Sequence, residues 1–278
     1  MTLAIVTDST ADVPSALAER YRIHVVPTVL VIQGQEYLDG EHISRREFYT
    51  RLPDINPPPT TAAPASGIFT SLYRRLLDES HTRILSLHLA SGLSGVFNAA
   101  HLAAQDFGNA VTVLDSGQLS MGLGWQVLHA ARRALDDAPL PRLLEELRDI
   151  QTRVRLVAML DTLTYLRRSG RVSWTKAALG TLLSIRPFVE VRRGEVLRAG
   201  QTRTRRKGLR SLLERLYALG PLESLAILHT NAEAEARALL ERYRGPVAQP
   251  PLIVQATPVI GVHVGPKGVG FAAVRAAA

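Results

Sequence analysis

The chain has 278 residues, a length that suits two domains at about 150 residues each. It is 46% hydrophobic and 21% charged, so it can bury a sizeable core without cross-links. It has no cysteine, which excludes disulfides, thiol catalysis and zinc–thiolate sites; its net charge of +8 favours acidic partners without naming one.

All but three of the 33 basic residues are arginines, the exceptions being Lys176, Lys207 and Lys267. The opening MTLAIVTDST has no basic leader and reads as a first strand. No stretch approaches the ~18 uncharged apolar residues of a membrane span. We expect a cytoplasmic protein without stable membrane insertion.

The first half alternates strand and helix signals. Leu3–Thr7 predicts a strand ending in the polar loop Asp8–Asp12. Asp12 suits an N-cap and Pro14 a first-turn position for a helix over Ser15–Tyr21. Ile23–Ile32 predicts one continuous strand. Ser44 and Glu47 have capping-box spacing for a helix over Ser44–Leu52. The proline-rich PDINPPPTTAAPAS predicts an irregular connection. Helices follow over Gly67–Glu79, Val96–Gln105, Trp125–Leu135 and Leu143–Thr152, with strands over Arg83–Leu89 and Val111–Leu114. This spacing predicts a doubly wound, mostly parallel sheet, with ligands at the carboxyl ends of its strands.

The second half mixes hairpins and helices. Arg155–Leu160 predicts a strand, and Leu163–Arg168 a short helix capped by Gly170. Phe188–Arg192 and Glu195–Arg198 flank the hairpin signal Arg193-Gly194. Helices over Thr204–Leu219 and Ala232–Tyr243 bracket a strand over Ser224–Thr230. Pro258–Val264 and Val269–Val274 predict a closing hairpin around Gly265-Pro266-Lys267-Gly268. The fold class is therefore α/β, with an N-terminal parallel-sheet domain over 1–154 and a C-terminal α+β domain over 155–278.

SGLSGVFNAA places Ser91 and Ser94 before a helix. Helix-start N–H groups, serine hydroxyls and accessible glycine backbone suit a phosphate or carboxylate, and equally an ordinary cap. A nucleophilic Ser94 is a third reading, since Gly92-Leu93-Ser94-Gly95-Val96 approaches G-x-S-x-G. Val96 crowds the second glycine position, and nothing in the sequence ties the conceivable triad partners Asp8 and His263 to Ser94. Gly122-Leu123-Gly124 fails the dinucleotide fingerprint at Val127, and the eight histidines show no metal-binding spacing. The basic helix start Arg203-Thr204-Arg205-Arg206-Lys207, with Arg210, suits nucleic acid or an acidic protein face. No aromatic residue interleaves with it, so no stacking platform for nucleic acid exists there.

Taken in order, IVTDSTADVP, PTTAAPAS, SGLSGVFNAA, VLDSGQLSMGLG, LRRSGRVS, LLSIRPFVEVRRG, QTRTRRKGL and VIGVHVGPKGVG resemble the DegV family of fatty-acid-binding proteins along nearly the whole chain. The resemblance implies a Rossmann-like N-terminal domain and a lipid tunnel between or beside the two domains. It implies one bound long-chain fatty acid, such as palmitate or a C18 acid, and no other cofactor or metal. It also implies a carrier, not itself an enzyme, that presents the carboxylate to a fatty-acid kinase subunit for acyl-phosphate formation. By motif, the carboxylate-binding residues are Thr61, Ser94 and His263, with Ser91 and Gly95 close by. Arg203 matches an arginine near the portal, facing phosphate or kinase. The chain departs from the family pattern at Ala62, Ala65, Val96 and Lys267.

Overall fold

The structure, a computed structural model, describes residues 2–175 and 185–277. In chain order its first elements are β1 (Leu3–Asp8), α1 (Ser15–Arg20), β2 (Ile23–Val26), β3 (Val29–Ile32), β4 (Gln35–Leu38), α2 (Arg45–Arg51) and β5 (Thr60–Ala62). Then come α3 (Ser66–Asp78), β6 (Arg83–His88), α4 (Val96–Ala104), β7 (Val111–Asp115), α5 (Ser120–Leu135) and α6 (Leu140–Arg153). The remainder is β8 (Val154–Met159), α7 (Thr164–Ser169), β9 (Arg186–Arg192), β10 (Glu195–Thr202), α8 (Arg205–Tyr217), β11 (Leu222–His229), α9 (Glu233–Arg242), β12 (Leu252–Gln255), α10 (Pro258–Val264) and β13 (Val269–Arg275). Lys176 and the Leu182–Ser184 part of LLSIRPFVEVRRG lie outside the described residues.

The described strands form three sheets. The first has the order β2-β1-β6-β7 and is parallel throughout, with Ile5 opposite Ile23 and Ile84 opposite Val111. The second has the order β10-β9-β8-β13-β11-β12 and is antiparallel except for the β11–β12 pair. A small antiparallel sheet, β4-β3-β5, stands beside them. The expected parallel sheet and the mixed second unit are both present.

α5 joins the two large sheets. It packs on β1 and β6 of the first and on β8, β11 and β13 of the second. Nearly every residue from Ser120 to Ala131 is buried, and Trp125 Nε1 donates to the Ala272 carbonyl at 3.0 Å. One hydrophobic cluster therefore runs continuously from Val6 and Leu85 to Leu228 and Ala272. Gly124 is what lets α5 lie so close. A Cβ there would sit 2.5 Å from the Ala11 carbonyl oxygen.

Several expectations fail for identifiable reasons. Ile23–Ile32 is not one strand: Pro27 lacks an N–H, and the chain crosses there from the parallel sheet to the small one. The proline-rich connection carries β5, whose Thr60–Ala62 pairs with Val29–Val31 in the side sheet. Pro258–Val264 is a helix, not a hairpin strand. Its β-branched residues suggest a strand, but the Thr257 side chain accepts from Val259 N and Pro258 occupies the first turn. Asp12 does not cap α1; it has φ 55° and turns inward. α5 begins at Ser120, five residues ahead of the expected start at Trp125. The short strands β4 and β12 were not anticipated. Ser44, by contrast, caps α2 by accepting from Glu47 N, and Gly170 closes α7 with φ 66°.

The α5 contact makes a direct test. Gly124→Ala should cost roughly 1–3 kcal/mol through overpacking. Gly67→Ala, in helix α3 with no atom within 4 Å of the new Cβ, should be neutral or stabilising by up to about 1 kcal/mol. Denaturant melts of the two variants check the contrast.

Candidate functional site

A cavity lies over the carboxyl ends of the parallel strands and under the inner face of the second sheet. It encloses about 1280 Å³ of atom-free space, its open mouth included. Leu156, Ala158 and Leu160 of β8 and its following turn face it, together with Val189 and Val191 of β9. α10 supplies one long wall. Val259, Ile260, His263 and Val264 all line the cavity, the three-to-four-residue repeat of one helix face, and Ala256 lines it just before the helix. Cavity walls this apolar suit a hydrocarbon more than a polar metabolite.

One end of the cavity is polar. β5 places Thr61 opposite Leu30, and the last turn of α10 places His263 beside it. Thr61 Oγ1 and His263 Nε2 lie 3.0 Å apart. Ser94 and Gly95 line the same cavity, and a Cβ on Gly95 would come within 3.7 Å of Ala63 Cβ, at the end of β5. Arg171 lines it too, and sequence reasoning did not single this residue out. Thr61, Arg171 and His263 also line an outer pocket with Pro58, Pro59, Tyr165 and Arg168. The polar end is thus reached from two sides.

Burial, and secondarily the Arg171 guanidinium, pushes the His263 imidazole down to about 4. Its ring is therefore neutral at pH 7. His263 Nδ1 is buried and has no partner among the described residues. An imidazole, two hydroxyls and a guanidinium around an apolar cavity provide for an anionic head on a hydrocarbon tail. An unpaired buried charge would be costly, so the donors must come from several loops.

Two of the expected site residues stand apart. Ser91 is exposed and does not line the cavity; its backbone N–H donates to Asp115 Oδ2 at 3.1 Å. Asp115 also accepts from Gly117 N at 2.8 Å, so this carboxylate pins the serine loop to the loop after β7. The β9–β10 turn braces the same loops, with Gly194 N donating to the Gly117 carbonyl at 2.9 Å. Arg203 is exposed outside the cavity, and its carbonyl accepts from Arg186. In the basic run, Arg205 is committed to Glu235 and Asp161.

The candidate triad does not assemble. Asp8 is fully buried and accepts from His88 Nδ1 at 2.9 Å, while His263 is bonded to Thr61. The Ser94 hydroxyl instead accepts weakly from Val96 N at 3.4 Å. Among the described residues, no three His, Asp or Glu side chains converge as metal ligands. No helix among them is long and apolar enough to cross a membrane.

The DegV family profile matches residues 2–276. The chain belongs to the DegV family. A DegV domain-containing protein of Deinococcus radiodurans is 34% identical over 276 residues, covering 98% of both chains. Two solved DegV structures superpose on nearly the whole molecule. The Thermus thermophilus family member, whose structure concerns its fatty acid binding, has a TM-score of 0.92 and 32% identity, covering 99% of this chain and 100% of its own. The fatty-acid-binding DegV of Bacillus subtilis has a TM-score of 0.87 and 29% identity, covering 99% and 100%.

The shifted histidine gives a pH signature. Folded His263 takes a proton only near pH 4, whereas an unfolded histidine takes one near ~6.5. Between those values the unfolded chain binds more protons, so this residue makes stability fall as pH falls. Wild type should therefore lose more melting temperature than His263→Gln between pH 6.5 and 4.5. Equal losses would show that the imidazole is not held neutral.

Proposed function

We propose that this DegV-family protein holds one long-chain fatty acid in the cavity, carboxylate at Thr61, Ser94 and His263, tail along α10. The observation that carries the reading is a single apolar cavity closed at one end by the Thr61–His263 pair and Ser94. The family relatives that bind fatty acids support it. The energetics agree. At ~0.8 kcal/mol per methylene, a tail of ~14 buried methylenes contributes on the order of 11 kcal/mol gross. Hydrogen bonds to the charged head contribute roughly 1.5–3 kcal/mol each. The tail dominates affinity, and the head group fixes orientation.

The finer role we propose is that of a carrier, acting in the cytoplasm, that hands the carboxylate to a fatty-acid kinase subunit. The outer pocket supports it, because the head-group residues Thr61 and His263 are also reached from that side. Exposed Arg203, with Arg206 and Lys207 at the start of α8, offers an acidic partner a basic face. The two large sheets, built from strands before and after Val154, support the division into domains over 1–154 and 155–278.

The test is direct. Protein purified from its host is denatured, extracted with organic solvent and analysed by mass spectrometry. A stoichiometric long-chain acid is expected; an empty extract, with no uptake of added palmitate, overturns the reading. Ser94→Ala should retain the lipid but lose phosphorylation of it by ATP and a fatty-acid kinase subunit. Loss of the lipid itself would assign more of the affinity to the head group than the arithmetic allows.

A further inference from the structure

Ser94 has little hold of its own. Its hydroxyl accepts from Val96 N at 3.4 Å, a long contact. Its place depends on where the loop before it is tied. Leu93 N donates to the Ala90 carbonyl and closes a turn, and Ala90 N donates to the Gln118 carbonyl, both at 2.9 Å. The tie within that turn is Ser91 N to Asp115 Oδ2 at 3.1 Å.

Asp115 ends β7, opposite His88 of β6. Its two carboxylate oxygens serve different loops. Oδ1 accepts from Gly117 N at 2.8 Å, a turn closed over two residues, and Oδ2 accepts from Ser91 N. Its own carbonyl accepts from Gln151 Nε2 of α6 at 3.1 Å, so the anchor is itself anchored. The β9–β10 turn packs against the same place. Gly194 N donates to the Gly117 carbonyl, and a Cβ on Gly92 would stand 3.2 Å from the Gly194 carbonyl oxygen. The serine loop is thus tied by Asp115 and packed by that turn.

Asp115 does not line the cavity, so it does not touch an acid bound there. A carboxylate this near an anion's seat is an electrostatic cost. Asparagine would avoid that cost and still close the Gly117 turn, but its side chain has one oxygen and an NH2 donor. A carboxylate accepts from both N–H groups at once.

We infer that Asp115 is the positioning residue of the carboxylate site: by holding Ser91 and Gly117 together, it sets where the Ser94 hydroxyl stands. This rests on the fatty-acid reading. Asp115 acts through Ser94, and its loss loosens the head group while the tail keeps the acid bound.

The experiment is NMR of palmitate with a carbon-13 carboxyl, loaded into wild type, Ser94→Ala, Asp115→Asn and the Ser94→Ala/Asp115→Asn double variant. Ser94→Ala should move the carboxyl resonance. Asp115→Asn should move it most of the way to the same position, with the acid still bound. In the double variant the Asp115 change should add nothing, since its route runs through Ser94. Asp115→Ser is the second variant: its short hydroxyl can close the Gly117 turn but not also reach Ser91, so it should give the same displacement. Gly124→Ala, which loses stability at the α5 contact, should leave the resonance in place and so separates positioning from stability alone. An unmoved resonance in both Asp115 variants overturns the inference. So does an added displacement in the double variant, an equal displacement in Gly124→Ala, or failure of both Asp115 variants to fold. A resonance that Ser94→Ala leaves unmoved overturns Ser94's part in the head-group site, and wild type that takes up no palmitate overturns the fatty-acid reading; either takes the inference with it.

Discussion

The carboxylate of Asp12 lies inside the protein, 2% exposed, and the site is assembled around the way it is satisfied. It accepts from the Thr257 N–H and the Ser120 hydroxyl, and pairs with Arg45 Nη1 at 3.0 Å. Those partners come from the starts of α10, α5 and α2. Thr257 in turn donates to Asp39, and Tyr49 of α2 donates to the Ala256 and Thr257 carbonyls. Burial pushes the Asp12 carboxyl up to about 6; Arg45 and the Ser120 bond pull it down, and neighbouring Asp39 adds to the rise. One buried group thereby fixes the start of α10, and the far end of that helix carries His263.

From this anchor the chemistry follows in two directions. Toward the end of α10, the helix presents an imidazole kept neutral by burial to the Thr61 hydroxyl of a side strand. Toward its start, the same anchor ties the helix to Ser120 of α5 and Arg45 of α2. The result is an apolar space with one polar end. Apolar walls suit a hydrocarbon, and a few donors at one end suit a charged head.

Much of this was legible in the sequence. The alternation of apolar strands and helices up to Thr152 predicts the parallel sheet, and its loops locate Ser94 and Thr61. The resemblance to the family supplied His263 as their partner. What the sequence does not show is local structure decided by distant contacts. Pro258–Val264 has strand-forming residues, yet Thr257, Asp12 and Tyr49 hold it as a helix. Thr60–Ala62 sits among prolines and becomes a strand because β3 offers it an edge. Arg171 lies within LRRSGRVS, but nothing in that motif singles it out; its importance lies in its place beside His263. Ser91 misled for the opposite reason: it sits in a suggestive motif, but its backbone, not its hydroxyl, is what the fold uses.

One measurement tests the arrangement most directly: the crystal structure of the protein bound to ω-bromopalmitate, with the bromine located by anomalous scattering. The account predicts the carboxylate within hydrogen-bond distance of Thr61 and His263, and the bromine inside the cavity, away from His263. A bromine beside His263, or an acid bound outside the cavity, would contradict it.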